Sequence, residues 1–400
     1  MTSSLPHPLR ERAVEVLQNL VRFPSVSLSP NEGIVSYIET YLASHGISSV
    51  RDAHEDGQRF NLLARIGAPE GQERSEGGIL LSGHMDVVPA DASGWSGDPF
   101  VLRRQQGRLI GRGAVDMKGF LAMALAMAPE FATVADRLTS PLYLAFSFDE
   151  EIGCFGAERM PAFLAAHGAR PTLAIVGEPT EMQPINAHKG GMELVTHIRG
   201  TAGHASRPAG TVNSLYIAAR MIGFIEELAR ECAQAPDPSS PFDPPHSTLS
   251  VGTITGGEAR NIIPERCSFD WEIRALPGTD PHTLRQRVEG FAQDVLLVEM
   301  QAVDPDCSLV TEMLSDVPPL EARAPSPAAD LVARLWTNAP PTVVSFGTDG
   351  AYFQQAGLDT VVFGPGGMAQ MHQPDEFITE AEIDQGLAFL SRLLNEMAAA

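Results

Sequence analysis

Three short apolar runs in the first half of the chain each end on acidic or histidine side chains, and this restricts the fold more than any other feature. Gly78-Gly-Ile-Leu-Leu-Ser82 runs into Gly83-His84-Met85-Asp86. Residues 141–148 (PLYLAFSF) end at Asp149-Glu150-Glu151, and residues 172–177 (TLAIVG) end at Glu178-Pro179. Apolar runs of this length, without polar alternation, read as strands buried on both faces. Apolar residues at helical spacing occupy 9–22, 33–45, 118–132 and 156–167. This strand–helix alternation predicts an α/β fold, a doubly wound, mainly parallel sheet with helices on both faces. Ligand sites in such sheets lie beyond the carboxyl ends of the strands, where all three polar clusters fall.

The pattern changes after about residue 188. Residues 191–199 alternate like a half-exposed strand, and a long helix fits 211–231. Strands at 248–255 and 264–274, a helix at 280–293 and a strand at 294–300 complete a β-α-β-β-α-β order, that of a ferredoxin-like unit. The Pro-rich stretch 236–245 reads as a loop. The doubly wound pattern returns after about 303, with a helix at 327–338, strands at 341–345 and 359–364, and a helix at 379–397. The expected organisation is a catalytic domain from 1–188 and 302–400 with an α+β domain, 189–301, inserted into it. A length of 400 residues agrees with two domains.

Composition narrows the function. Lys and Arg total 28 against 50 Asp and Glu, a net charge of −22. Such a balance argues against a nucleic-acid partner, whose phosphates need basic patches, and suits small cationic substrates or metal ions. No apolar run reaches the roughly 18–20 residues of a membrane span. Met1–Arg10 lacks the apolar stretch of a secretory signal. Cys154, Cys232, Cys267 and Cys307 form no C-x-x-C pair and read as reduced thiols. The expected location is therefore cytoplasmic.

Taken together, the strand-end residues are His84 and Asp86, Asp116, Glu150 and Glu151, Glu178, and, near the other end, His372. Imidazole and carboxylate are the usual zinc ligands, and this number permits two metals sharing a carboxylate. In the His84-Met85-Asp86 triplet, residues two apart point the same way in an extended segment. Asp86 is thus placed to accept a hydrogen bond from the imidazole nitrogen that faces away from metal. Glu150 and Glu151 diverge as neighbours at a strand end. One can bind metal while the other takes a proton from metal-bound water and passes it to a leaving nitrogen.

Several segments resemble the zinc-dependent family that includes acetylornithine deacetylase, succinyl-diaminopimelate desuccinylase, aminoacylase and the carboxypeptidase G type exopeptidases. They are SGHMDVVPA (82–90), WSGDPF (95–100), GRGAVDMKGF (111–120), FSFDEEIGCFGA (146–157), VGEPTEM (176–182), GTAGHAS (200–206), EIRALPG (272–278) and GPGGMAQMHQPDEF (364–377). The resemblance implies two zinc ions per subunit, with cobalt also suited to the site. It implies His84 and Glu178 on one ion, Glu151 and His372 on the other, and Asp116 as the bridge. It further implies Glu150 as general acid/base, Asp86 as the partner of His84, and a cis Asp116–Met117 peptide. His204 would stabilise the oxyanion in the partner subunit's site, which implies a homodimer through the inserted domain. Arg274 would grip a substrate α-carboxylate, and Asn261 resembles another substrate-side position. Gly366, in the Gly364-Pro365-Gly366-Gly367 loop, offers a backbone N–H to a carboxylate.

The implied activity is hydrolysis of an N-acyl amino acid. The GPGGMAQMHQPDEF, WSGDPF and His188-Lys189-Gly190-Gly191 segments lean toward the branch that cleaves acetylornithine in arginine biosynthesis. NIIP (261–264) is closer to the desuccinylase form, and a desuccinylase needs a further cation, for which Arg207 and Arg260 are candidates. A broader N-acyl-amino-acid deacylase shares the same chemistry. A non-catalytic metal-binding protein of the same fold is the reading from another class, marked by loss of Glu150 or of a ligand.

Overall fold

A computed structural model of the chain describes residues 7–67, 77–91 and 93–398. Residues 1–6, part of the stretch read above for a secretory signal, lie outside the described residues. Two compact units emerge. The first comprises Met1–Asn186, Ala322–Thr342 and Thr348–Ala400, and the second Ala187–Glu321 and Val343–Gly347.

The first unit opens with α1 (His7–Val21), α2 (Glu32–Ser44), β1 (Ser49–Ala53) and β2 (Phe60–Ile66). Then come β3 (Ile79–His84), β4 (Arg103–Gln105), β5 (Arg108–Ile110), α3 (Lys118–Thr133), β6 (Leu142–Ser147), α4 (Phe155–Ala166), β7 (Leu173–Val176) and β8 (Ile185–His188). The second unit holds β9 (Gly190–Arg199), β10 (Gly203–His204), α5 (Ser214–Gln234), β11 (Thr248–Gly256), β12 (Ile262–Ile263), β13 (Arg266–Ala275), α6 (Pro281–Phe291), α7 (Val298–Gln301) and β14 (Ser308–Val317). The chain ends through α8 (Pro327–Leu335), β15 (Thr342–Val344), α9 (Gly350–Gln355), β16 (Asp359–Val362), β17 (Phe377–Thr379) and α10 (Glu380–Ala398).

An eight-stranded sheet runs in the order β1-β2-β6-β3-β7-β16-β8-β15. Its centre, β6-β3-β7-β16, is parallel, whereas β1, β2 and β8 join antiparallel. The sheet is thus a parallel doubly wound core with antiparallel flanks. Every residue of β3 and β6 is buried, as strands covered on both faces require. His84 lies opposite Ser147 and Ser82 opposite Val176, so the segments after β3, β6 and β7 leave the sheet side by side. Helix α3 packs against β3, α1 and α10, and nearly all its residues from Lys118 to Ala128 are apolar and buried. Truncating Leu125 there to Ala should cost about 2–5 kcal/mol.

In the second unit β11-β13-β9-β14 form an antiparallel sheet, and α5 and α6 pack over a core that includes Leu194, Met221, Phe269, Trp271 and Val288. The order of elements is β-α-β-β-α-β. Two expectations change here. The stretch 294–300 is helical, and the closing strand is β14. Its apolar run misleads because the buried positions Leu284, Val288, Ala292, Leu296 and Met300 recur every four residues, the period of a helix face. With β14 in its sheet, the second unit extends to Glu321 rather than 301. All four cysteines are free. Among the described residues no helix is long and apolar enough to cross a membrane.

Candidate active site

The ends of the central strands bring the polar residues together. β3 presents His84 as its last residue with Asp86 just beyond, and the turn from β6 to α4 carries Glu150 and Glu151. β7 leads to Glu178, the approach to α3 holds Asp116, and the segment between β16 and β17 supplies His372. Asp116 lies between the two imidazoles. Its Oδ1 is 3.2 Å from His84 Nε2 and its Oδ2 is 3.0 Å from His372 Nε2. Glu178 Oε1 stands 3.7 Å from His84 Nε2, and Glu151 Oε2 stands 3.0 Å from His372 Nε2. Glu150 Oε2 is 3.9 Å from His84 Nε2, and Glu150 groups instead with Cys154 and Asp349. The Asp116–Met117 peptide is cis.

This donor set fits cations. One donor atom from each of His84, Asp116 and Glu178 lies within 4.8 Å of the others, and the same holds for Asp116, Glu151 and His372. Glu178 Oε1 is buried with no hydrogen bond, a position that carries a cost unless a cation or donor meets it. The titration behaviour points the same way. Burial, and then the charge of Asp116, pushes Glu151 up to about 7. Burial first, with the charge of Glu178 adding for Glu150 and those of Asp116, Asp349 and Glu151 for Glu178, holds both carboxyls well above the usual carboxylate range. Bonds to Asp116 and Glu151 raise His372 to about 10. Burial opposes the charge on Asp116, yet His372 and His84 keep it below the ordinary carboxylate value. Buried carboxylates outnumber the imidazoles, so positive charge is what the cluster lacks.

Buried carboxylates also hold the backbone of the site. Asp86 accepts from the N–H of Glu150 at 3.0 Å and of Glu151 at 3.3 Å, and from Ser27 Oγ at 2.7 Å. The side-chain bond expected between Asp86 and His84 is replaced. His84 Nδ1 meets the main-chain carbonyl of Asp86 at 3.0 Å, with the carboxylate 3.6 Å away. Either oxygen can fix the ring orientation, and the carboxylate is already committed to the Glu150–Glu151 turn. Glu376 accepts from the N–H groups of Val115 and Asp116 and pairs with Arg112. Lys118 Nζ, whose pKa burial lowers to about 7, donates to Phe23 O at 2.8 Å. Asp349, pushed up to about 6 by burial, accepts from Ser147 Oγ at 2.6 Å beside Cys154 and Glu150. Sequence reasoning assigned none of Ser27, Arg112, Lys118, Asp349 or Glu376. Arg112, Lys118 and Glu376 do lie within the segments quoted above; for Arg112 and Lys118 the available signal was a charged side chain inside an otherwise apolar stretch, and Glu376 carried no such signal.

The loop with Gly366 is largely spoken for. Gly364 N donates to Thr180 Oγ1 and Gly367 N to Gln370 Oε1. Gly366 has φ +81°, and a Cβ there would stand 2.2 Å from Val115 Cγ2, so the position requires glycine.

The second unit carries the remaining sequence candidates. β10 and β12 pair as a short ribbon, His204 opposite Ile262, and Ala205 N donates to Asn261 O at 3.0 Å, so His204 and Asn261 share one exposed corner. His204 Nδ1 accepts from Ser206 N at 3.2 Å and meets Ser206 Oγ at 2.7 Å. A backbone N–H can only donate, so the neutral ring carries its proton on Nε2. Arg274, on β13, is held by Glu272 through Nε at 3.0 Å and Nη2 at 2.6 Å, with Glu193 3.7 Å away.

Comparison with known proteins follows from this geometry. The profile of Peptidase family M20/M25/M40 matches residues 80–396. The acetylornithine deacetylase of Proteus mirabilis (strain HI4320) is 33% identical over 394 residues, 97% of each chain. That of Myxococcus xanthus is 32% identical over 376 residues, 94% of this chain and 95% of the relative. Among solved structures, an M20 family metallo-carboxypeptidase from Sulfolobus solfataricus matches with a TM-score of 0.75 at 16% identity, covering 97% of this chain and 99% of the other. A dinuclear metal-binding M20 peptidase from Bacillus subtilis matches with a TM-score of 0.64 at 15% identity, over 98% and 99%. Both structural likenesses speak to the fold alone. Profile and relatives together cover nearly the whole chain, strand-end cluster included, and the chain therefore belongs to peptidase family M20/M25/M40 and is a metal-dependent amidohydrolase.

Proposed function

We propose that the chain hydrolyses the amide bond of N2-acetyl-L-ornithine to L-ornithine and acetate, with two zinc ions per subunit. One observation carries the two-metal reading: Asp116 turns one carboxylate oxygen to each of two imidazoles, His84 and His372. The substrate follows from the relatives named acetylornithine deacetylase at 32–33% identity over nearly the full length. His84, Asp116 and Glu178 would hold one ion, and Asp116, Glu151 and His372 the other. Cobalt suits the same nitrogen and oxygen donors.

The cations, when bound, supply Lewis acidity toward the amide carbonyl and the attacking water. Glu150 does the proton work. It is the acidic neighbour of both triads without belonging to either, and burial favours its protonated form. A carboxylate of this kind takes a proton from water as the amide is attacked and returns it to the leaving nitrogen. His204 would present Nε2–H to the oxyanion in the partner subunit's site, making the enzyme a homodimer. Its Nδ1 is already occupied by Ser206, which leaves Nε2 as the donor. Arg274 would meet the substrate α-carboxylate only by exchanging Glu272 for it, and Asn261 and the Gly366 N–H would serve as further substrate contacts. The acidic balance of the chain suits the cationic ornithine side chain.

A hydrolysis panel with zinc-loaded enzyme tests the assignment. Acetylornithine should give the highest kcat/KM against succinyl-diaminopimelate and acetylmethionine. A higher value for succinyl-diaminopimelate would overturn the substrate and leave the chemistry standing.

A further inference from the structure

We infer that Glu376, buried in an ion pair with Arg112, positions the bridging carboxylate Asp116 by accepting from its main-chain N–H. The inference rests on the reading of Asp116 as the shared metal ligand. Glu376 is fully buried and Arg112 nearly so. A buried ion pair is weak evidence for stability, because desolvation offsets its attraction and well-packed apolar residues often replace it without loss. What distinguishes this pair is how Glu376 divides its oxygens. Oε2 accepts from Arg112 Nη1 at 2.7 Å. Oε1 accepts from two successive backbone groups, Val115 N at 3.0 Å and Asp116 N at 3.2 Å.

Both members are anchored in turn. Gly111 N donates to Glu376 O at 2.9 Å, and Phe377 pairs with Ile110 across β17 and β5. Arg112 lies over the Trp95 ring at 5.1 Å, donates from Nη2 to Pro89 O at 3.3 Å, and donates from its own N–H to Pro99 O at 2.8 Å. Pro89, Trp95 and Pro99, the stretch 111–116 and Glu376 therefore meet around one buried ion pair. Glu376 is also four residues beyond His372, so the segment that carries one candidate ligand ends by holding the peptide of another. Any drift of the Asp116 main chain would disturb the 3.2 Å and 3.0 Å contacts to His84 and His372 together. Glu376 spends its oxygens on Arg112 and on backbone N–H groups, so its effect on the metals passes through Asp116.

The charge pair and the N–H grip can be separated. Glutamine at 376 keeps a carbonyl oxygen for the two N–H groups, and methionine does not. The double variant Arg112→Met/Glu376→Gln should therefore take up cobalt with the wild-type affinity and visible absorption spectrum. Arg112→Met/Glu376→Met should lose about 10–100-fold in affinity for at least one site, the scale of a lost outer contact to a metal ligand, and its spectrum should change. Thermal unfolding of both metal-free chains checks that the fold is intact. If the Met/Met protein does not fold, Glu376→Asp replaces it, since the shorter carboxylate cannot serve Arg112 and both N–H groups at once and should weaken cobalt binding. Wild-type affinity and spectrum in the folded Met/Met protein, or in Glu376→Asp, overturn the inference. So does a Met/Gln protein that loses as much as Met/Met. Wild-type protein that takes up fewer than two cobalt ions sinks the two-metal reading, and this inference with it.

Discussion

The strand-end cluster of the first unit and the β10–β12 ribbon of the second place their polar side chains by opposite means. In the first, His84, Asp86 and Glu178 are buried at the ends of central strands and Asp116 just before α3, and carboxylates grip the intervening backbone. In the second, His204 and Asn261 are exposed on a ribbon of two residue pairs, and the contacts of His204 are local. Catalysis gains from groups that need no reorganisation, which the first arrangement provides. In the proposed reading, an exposed arm instead keeps its Nε2–H for a substrate that arrives later. Changes in the first region should therefore alter metal content and rate together or separately, residue by residue. Changes in the second should alter rate alone.

Removal of metal should have the largest effect. A chelator should abolish hydrolysis, and zinc or cobalt should restore it. Activity in verified metal-free protein would erase the contrast between the regions. The pH dependence of binding sharpens this. His372, raised to about 10, is protonated at neutral pH, and the incoming ion must displace that proton. Affinity should thus tighten as pH rises toward about 10 and weaken as it falls, by about tenfold per unit for each displaced proton, with Glu151, at about 7, adding a second proton below neutrality. Competition against a chelator of known affinity between pH 6 and 8, as a choice of range, measures it. A flat profile would remove the proton from the account.

Glu150→Ala comes next. It should lower kcat by about 10²–10⁴-fold with both metals retained and KM little changed. Glu151→Ala should lose affinity for one metal, because Glu151 lies within contact of His372 in a triad. Elemental analysis beside kinetics separates them. A Glu150 variant short of metal, with a Glu151 variant that keeps both, would reverse the two roles.

The same contrast explains what the sequence disclosed. Apolar runs report burial, and a polar residue directly after one must sit at a sheet edge, so the approach of His84, Glu150 and Glu178 was legible from residue order. The parallel centre followed from strand–helix alternation. The antiparallel flanks did not, since β1 and β2 carry mixed polarity and their pairing depends on partners distant in the chain. The stretch 294–300 was misread because four consecutive apolar residues suit a strand as well as a helix until the four-residue recurrence from Leu284 to Met300 is seen whole. Glu376 and Asp349 could not be placed from sequence. Their importance lies in which backbone or hydroxyl groups they meet, and those come from residues more than 200 positions away.

His204→Ala probes the exposed region. It should lower kcat by on the order of 10²–10³-fold, the scale of one oxyanion donor, with metal content and thermal stability unchanged. If His204 serves the partner subunit's site as proposed, mixing His204→Ala with Glu150→Ala chains should restore part of the activity, because one composite site in each hybrid dimer would be whole. No restoration after demonstrated subunit exchange would place the action of His204 within its own subunit.

The smallest effect is expected at Ser206, and its size decides how self-sufficient the ribbon is. Ser206 meets His204 Nδ1 twice, through Oγ at 2.7 Å and through its backbone N–H at 3.2 Å. Ser206→Ala removes only the first. The backbone N–H still occupies Nδ1, so the proton stays on Nε2 and the donor survives. What is lost is one neutral hydrogen bond on an exposed loop, about 0.5–1.5 kcal/mol, which corresponds to roughly a two- to tenfold fall in rate if all of it orients the ring. The fall should appear in kcat, with metal content and unfolding temperature unmoved, because the contact touches neither the cluster nor a core. A loss as large as that of His204→Ala would mean that the hydroxyl itself takes part in the reaction. No loss at all would mean that the backbone N–H alone sets the ring, and the ribbon would then need no side-chain support.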